Sequence, residues 1–171
     1  MGTKMIICGL NGTGKSTLGK ALSKKLGFHF VDVEDLYFPN AHMDDRYSFS
    51  RTREEVKELL IDRFQTYENI VFSAVKGDYS EILFDYCMIL TAPKEVRIQR
   101  VKHRSFAKFG NRMLPGGDLY EREQSFFSLV ESRQESFVEG WAATLHCPII
   151  RVNAEKSIDE NISFLMGQID C

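Results

Sequence analysis

A chain of 171 residues with 22 basic and 24 acidic side chains has room for one well-packed core and too little length for two comfortable ones. Its formal net charge of −2 gives no support to extended nucleic-acid binding, and no run approaches the ~18 apolar residues of a membrane span. The N-terminus lacks a signal-peptide pattern, so the expectation is a cytoplasmic protein without membrane attachment, monomeric or homodimeric.

The first apolar run, residues 5–8, leads straight into Gly9-Leu10-Asn11-Gly12-Thr13-Gly14-Lys15-Ser16, a complete G-x-x-x-x-G-K-[ST] phosphate loop. A buried strand ending in a glycine-rich turn aims successive backbone N–H groups, and then a helix N-terminus, at one point where an anion can sit. Apolar residues at Leu18, Ala21, Leu22 and Leu26 keep helical spacing, and Gly27 stands where a C-terminal cap belongs. The expected ligand is a nucleoside triphosphate held by Gly9, Asn11, Gly12, Thr13, Gly14, Lys15, Ser16 and Thr17. Lys15 would reach the β and γ oxygens, and the Ser16 hydroxyl would ligate Mg²⁺.

Further strand signals fall at residues 28–33, 70–75, 86–91 and 148–152 with helical patterns between them, which predicts a parallel sheet covered on both faces. Thr52 with Glu55, Asp118 with Glu121 and Ser157 with Glu160 have capping-box spacing, the aspartate case being a looser version. Gly110 is expected to end a helix that starts near Pro93. Two connections exceed simple turns. Residues 35–51 are polar and aromatic and lead into a helix over 52–67; residues 111–117 contain Pro115-Gly116-Gly117, a hinge composition. Long insertions at the carboxyl ends of parallel strands lie over the ligand crevice, so a substrate-binding arm over about 35–67 and a lid over about 105–120 are expected.

Phosphoryl transfer needs positioning, Mg²⁺ and cations around the γ-phosphate more than covalent help. Arg97, Arg100, Arg104 and Lys108 share one helical face, and Arg112 follows just past Gly110. At least one of Arg100, Arg104 and Arg112 is expected to touch phosphate, whereas Arg97 and Lys108 read as surface charges. In Asp32-Val33-Glu34-Asp35, strand alternation would project Asp32 and Glu34 the same way, one to hold Mg²⁺ through water and the other to take or orient an acceptor proton. Asp35 equally suits a helix N-cap. Arg46, Arg51 and Arg53 flank the first long connection and offer a clamp for an acidic acceptor, although Arg53 also has glutamates in its own first helical turn to pair with. Lys76 and Asp78, at the exit of the third strand, are weaker substrate contacts. Cys8, Cys87, Cys147 and Cys171 form no C-x-x-C pair, and Cys8 and Cys87 read as small buried hydrophobes. His29, His42, His103 and His146 make no serine triad and have no metal spacing.

The phosphate loop, the Phe-Val-Asp-x-Glu segment, the basic helix and the hinge-rich lid together resemble the adenylate kinase and shikimate kinase group of small P-loop kinases. The resemblance implies a five-stranded parallel sheet of order 2-3-1-4-5 with helices on both faces, ATP and Mg²⁺ on Gly12, Gly14, Lys15, Ser16 and Thr17, and paired acids at Asp32 and Glu34. It also implies a lid arginine at Arg112 and adenine against residues 153–156. The third strand ends in Ser-Ala-Val-Lys-Gly-Asp rather than a glycine triplet or an Asp-Gly-x-Pro-Arg motif, so neither family substrate transfers. The expected activity is transfer of the ATP γ-phosphate to a small-molecule acceptor, with Lys15, Asp32, Arg104 and Arg112 catalytic and Asp32, Glu34, Arg46, Arg53 and Lys76 on the acceptor. A P-loop ATPase driving a conformational signal and a non-catalytic nucleotide-binding module are the alternatives. The missing Asn-Lys-x-Asp base-reading motif tilts the donor toward ATP rather than GTP.

Overall fold

A computed structural model describes residues 2–39 and 49–169. The chain runs β1 (Lys4–Gly9), α1 (Lys15–Leu26), β2 (His29–Asp32), α2 (Val33–Tyr37), α3 (Arg53–Thr66), β3 (Ile70–Ser73), β4 (Tyr86–Thr91), α4 (Lys94–Phe109), α5 (Tyr120–Ser132), α6 (Ser136–Ala142), β5 (Ile149–Asn153) and α7 (Ile158–Met166). Short 3-10 turns occupy Gly110–Met113 and Ala143–Leu145.

The five strands form one all-parallel sheet in the order β2-β3-β1-β4-β5, as the resemblance implies. Its central strand, β1, is buried from Met5 to Gly9, which fits a continuous apolar run covered on both sides. Period-two alternation then sorts its side chains. Met5 and Ile7 join Leu18 and Leu22 of α1 and Leu165 of α7 on one face, while Ile6 and Cys8 join Val56 and Leu60 of α3 and Val138 of α6 on the other. The two cores make three layers, and every strand points its carboxyl end toward the edge where the phosphate loop leaves β1. A separate small core of Val101, Met113, Phe127 and Val130 joins α4, its following 3-10 turn and α5.

Local signals explain most boundaries. Gly27 closes α1 at φ 72°, where a Cβ would be strained, and both Thr52–Glu55 and Ser157–Glu160 form complete capping boxes. Other boundaries differ from expectation. Strand two stops at Asp32 instead of running to Val33, because the Asp32 carboxylate accepts the Glu34 backbone N–H at 3.0 Å and starts α2 inside the expected connection. Asp118 does not cap α5, whose N-cap is Leu119; its carboxylate is drawn instead to the Arg112 guanidinium. Cys8 and Cys87 are buried free thiols on neighbouring strands, in keeping with their apolar runs.

Candidate nucleotide and acceptor site

The loop between β1 and α1 is shaped by three left-handed glycines and its own hydrogen bonds. Gly9, Gly12 and Gly14 have φ of 152°, 85° and 91°. A Cβ on Gly9 would strike the Leu90 carbonyl, and one on Gly12 would strike the backbone of Arg97, so the loop lies directly on β4 and α4. Gly14 is the N-cap of α1 and brings no side chain to the first helical N–H groups, which leaves them for a ligand.

The Leu10 carbonyl gathers three donors from the turn: Thr13 N at 3.3 Å, Thr13 Oγ1 at 2.9 Å and Lys15 Nζ at 3.2 Å. Thr13 is therefore buried as a brace of the loop. Lys15 is folded back over the turn. Burial lowers its pKa to about 8, offset in part by attraction to Asp32 and reinforced by repulsion from Arg104.

The Ser16 hydroxyl hydrogen-bonds the Asp32 carboxylate, which joins the start of α1 to the end of β2. Burial raises the Asp32 pKa against that bond and the Glu34 N–H, and the neighbouring Glu34 and Asp35 charges push the same way as burial. Asp32 is in register with Ser73, so the two share a sheet face, and the Ser73 hydroxyl oxygen is buried without a partner. A serine hydroxyl, a carboxylate and an orphaned hydroxyl beside a helix N-terminus are oxygen donors of the kind Mg²⁺ and its water shell take, so these residues fit the ion. Thr17, next on α1, is exposed.

The basic face of α4 lies along this site over its whole length. Arg97 Nη1 donates to the Asn11 carbonyl at 3.4 Å; Arg100 donates to Gly12 O at 3.4 Å and Ala154 O at 3.2 Å. Arg104 is exposed and close enough to depress Lys15, and Lys108 Nζ pairs with Glu34 Oε1 at 3.7 Å. Arg97 and Lys108 are thus not the surface charges their ends of the stripe suggested: Arg97 is 3% exposed beneath the loop, and Lys108 reaches the β2 exit. Arg100 also ties the loop to residues 153–156, the segment expected at adenine.

Elsewhere the predicted residues divide. Arg112 is exposed and fork-bonded to Asp118, with Nε–Oδ1 at 3.0 Å and Nη2–Oδ2 at 2.6 Å. Lys76 stands 3.6 Å from the centroid of the Phe137 ring of α6. Asp78 turns away to Ser80 and, at 3.8 Å, to Lys57. Arg53 is exposed at the start of α3 and makes no ion pair among the described residues, whereas Arg51 donates to the Leu36 carbonyl of α2 at 2.8 Å. Arg46 lies outside the described residues.

Sequence reasoning missed Arg133. From the break between α5 and α6 it donates to Asn11 Oδ1 at 2.8 Å, with its guanidinium 5.2 Å from the Phe137 ring centroid. Trp141 Nε1 donates to the Gly77 carbonyl at 2.8 Å and fixes the β3 exit against α6. The α5–α6 corner therefore meets both the phosphate loop and the loop after β3. Among the described residues no helix is long and apolar enough to cross a membrane.

A 2-3-1-4-5 parallel sheet with a glycine-walled loop at its central strand, a lysine folded across it and a hydroxyl–carboxylate pair beside it defines a P-loop nucleotide-binding fold of the small-kinase type. The family model described as an AAA domain matches residues 5–109, more than half of the chain. The chain belongs to that family and to the adenylate and shikimate kinase group of small P-loop proteins. It is 30% identical over 174 residues to the uncharacterized protein YqaC of Bacillus subtilis strain 168, spanning 95% of each chain. It is 38% identical over 149 residues to a shikimate kinase of Geobacter sulfurreducens, covering 81% of this chain and 78% of that one. The structure of deoxyadenosine kinase from M. mycoides with bound dATP superposes with a TM-score of 0.60 at 17% identity, over 97% of this chain and 98% of that one, a likeness of fold.

Proposed function

We propose that the chain is an ATP-dependent, magnesium-requiring kinase that phosphorylates a small molecule. The observation that carries the reading is the convergence of Lys15, the Ser16–Asp32 pair and the α4 cations on one crevice beside the loop. The kinase relatives support it.

Ser16 would hold Mg²⁺ directly, with Asp32 reaching it only through its water shell, and the ion when bound supplies positive charge to the phosphates. Lys15 leaves the Leu10 carbonyl for the terminal phosphates, and Arg104 with Arg112 of the lid offsets the charge that spreads over the transferred group. Asp32 is the acid placed to receive the acceptor's hydroxyl proton: a new O–P bond forms to the acceptor, the bond to the ADP oxygen breaks, and the proton passes to the carboxylate. Asp32, beside Ser16 at the loop, suits that role better than Glu34, which is held by Lys108 at 3.7 Å. Lys76 and Arg53 would face the acceptor, and the stretch after α2 and the segment past α4 would serve as its arm and lid.

A coupled assay of ATP consumption against nucleosides, nucleoside monophosphates, sugars and sugar acids tests this. An acceptor-dependent rate with a phosphorylated product is expected. Phosphate release at one rate with or without every acceptor would move the reading to an ATPase, and ATP binding without any turnover would leave a nucleotide-binding module.

A further inference from the structure

Two charged side chains among the described residues are buried below a tenth exposure, Arg97 at 3% and Glu123 at 5%. Glu123 is matched by Arg122 at 3.0 Å. Arg97 makes no ion pair among the described residues, its Nε is buried without a hydrogen-bond partner, and its one bond, to the Asn11 carbonyl, is long at 3.4 Å. The acids that influence it are Glu135 and Glu95, and burial still outweighs them and lowers its pKa. A buried guanidinium so poorly matched destabilises the ligand-free fold, and an apolar side chain of similar length would serve the packing of α4 better.

Its position supplies what its partners do not. Gly12 lies directly on the Arg97 backbone, and the Arg97 guanidinium reaches the main-chain carbonyl of the preceding loop residue, Asn11. The carbonyl it contacts, Asn11 O, shares a peptide unit with the Gly12 N–H. A cation on that oxygen polarises the unit and makes the N–H a stronger donor on the other side. Arg133 fixes the same residue by its side-chain oxygen, so Asn11 is gripped on both of its carbonyls.

We propose that Arg97 is a positioning residue of the phosphate loop, a cation buried behind it whose charge is answered by the polyphosphate in front, so that it favours nucleotides with more phosphates. This rests on the nucleotide-kinase reading above. The charge acts through the peptide layer at short range, and its benefit therefore grows with the anionic charge on the loop's far face.

Titration calorimetry of the full chain and of Arg97→Met and Arg97→Lys with MgATP and MgADP, beside thermal melts without nucleotide, tests it. Arg97→Met is expected to melt at or above the parent temperature while losing about tenfold in ATP affinity and distinctly less in ADP affinity. Arg97→Lys, which restores the charge, should recover most of the ATP loss. A lowered melting temperature with equal losses for both nucleotides would make Arg97 a structural brace and overturn the proposal, as would unchanged ATP binding in Arg97→Met. If the parent protein binds neither nucleotide, the functional reading itself falls and takes the proposal with it.

Discussion

Arg133 donates to Asn11 across 122 residues of sequence, at 2.8 Å, and so ties the corner between α5 and α6 to the phosphate loop. A charged donor on a half-buried carbonyl contributes about 1.5–3 kcal/mol when both partners are in place. Asn11→Ala and Arg133→Ala should each lower stability, and the double variant should lose at least about 1 kcal/mol less than the sum, measured by denaturant unfolding of the four proteins. Additive losses would mean that the two side chains act independently.

Asp32 has two structural duties, capping α2 and accepting from Ser16, besides its proposed chemical one. Asparagine is as good an N-cap as aspartate and keeps an oxygen for both bonds. Asp32→Asn should therefore fold with undiminished stability, retain ATP affinity and lose about 10²–10⁴-fold in turnover. Asp32→Ala should lose about 1 kcal/mol of stability as well. The sign of the pH effect follows from the raised pKa: deprotonating Asp32 disfavours the fold, so its contribution is largest in acid and falls as pH rises from the ordinary carboxylate range through the folded value. Asp32→Asn should lack that fall. Turnover in Asp32→Asn equal to the parent's would remove the acid from the mechanism.

The sheet was legible because a parallel strand buried on both faces must be apolar along its buried length, and residues 5–8, 70–72 and 87–90 are. The loop was legible because phosphate wrapping demands glycine at defined offsets. The failures have specific causes. Alternation was extended one residue too far past Asp32, where a side-chain cap competes with the strand and wins. Helical spacing gave Arg97, Arg100, Arg104 and Lys108 a common face but not the direction of that face. With one residue per hundred degrees, solvent and a neighbouring loop look alike until the helix is docked. Arg133 had no periodic context, since it lies in the break between two helices, and its bond to Asn11 exists only through tertiary folding.

Gly12 and Gly14 both hold left-handed backbone, and their surroundings separate them. Alanine at either position meets backbone strain of about 1 kcal/mol. At Gly14 the added methyl meets nothing within 4 Å, whereas at Gly12 it meets the Arg97 main chain. Gly12→Ala should thus lose about 2–4 kcal/mol and its nucleotide binding, and Gly14→Ala about 1 kcal/mol. Thermal melts with and without MgATP check the ordering, and equal losses would show that the loop does not rest on α4.

Arg112 separates two roles by exposure. Its fork to Asp118 is more than half exposed on both sides, at 58% and 60%, so Arg112→Ala should change stability by less than about 1 kcal/mol. If the segment after α4 closes on the transferred phosphate, the same variant should lose at least about tenfold in kcat with little change in ATP affinity. A parent-like kcat would pass the lid role to Arg104.

Lys15 gives the sharpest pH signature. The ordinary lysine value of 10.5 applies to the unfolded chain and about 8 to the fold, so between those values the unfolded chain binds more protons. The ligand-free fold should then gain up to about 3 kcal/mol as pH rises from 8 to 10.5 relative to Lys15→Met, in which no such rise remains. Triphosphate beside the amine reverses the preference, because a bound anion favours the ammonium. ATP binding at pH 8.5 should therefore take up protons, seen as a calorimetric enthalpy that varies with the ionisation heat of the buffer, and the variation should vanish near pH 6.5. Uptake that is the same at both pH values, or that persists in Lys15→Met, would assign the proton to another group and leave Lys15 fully charged before the nucleotide arrives.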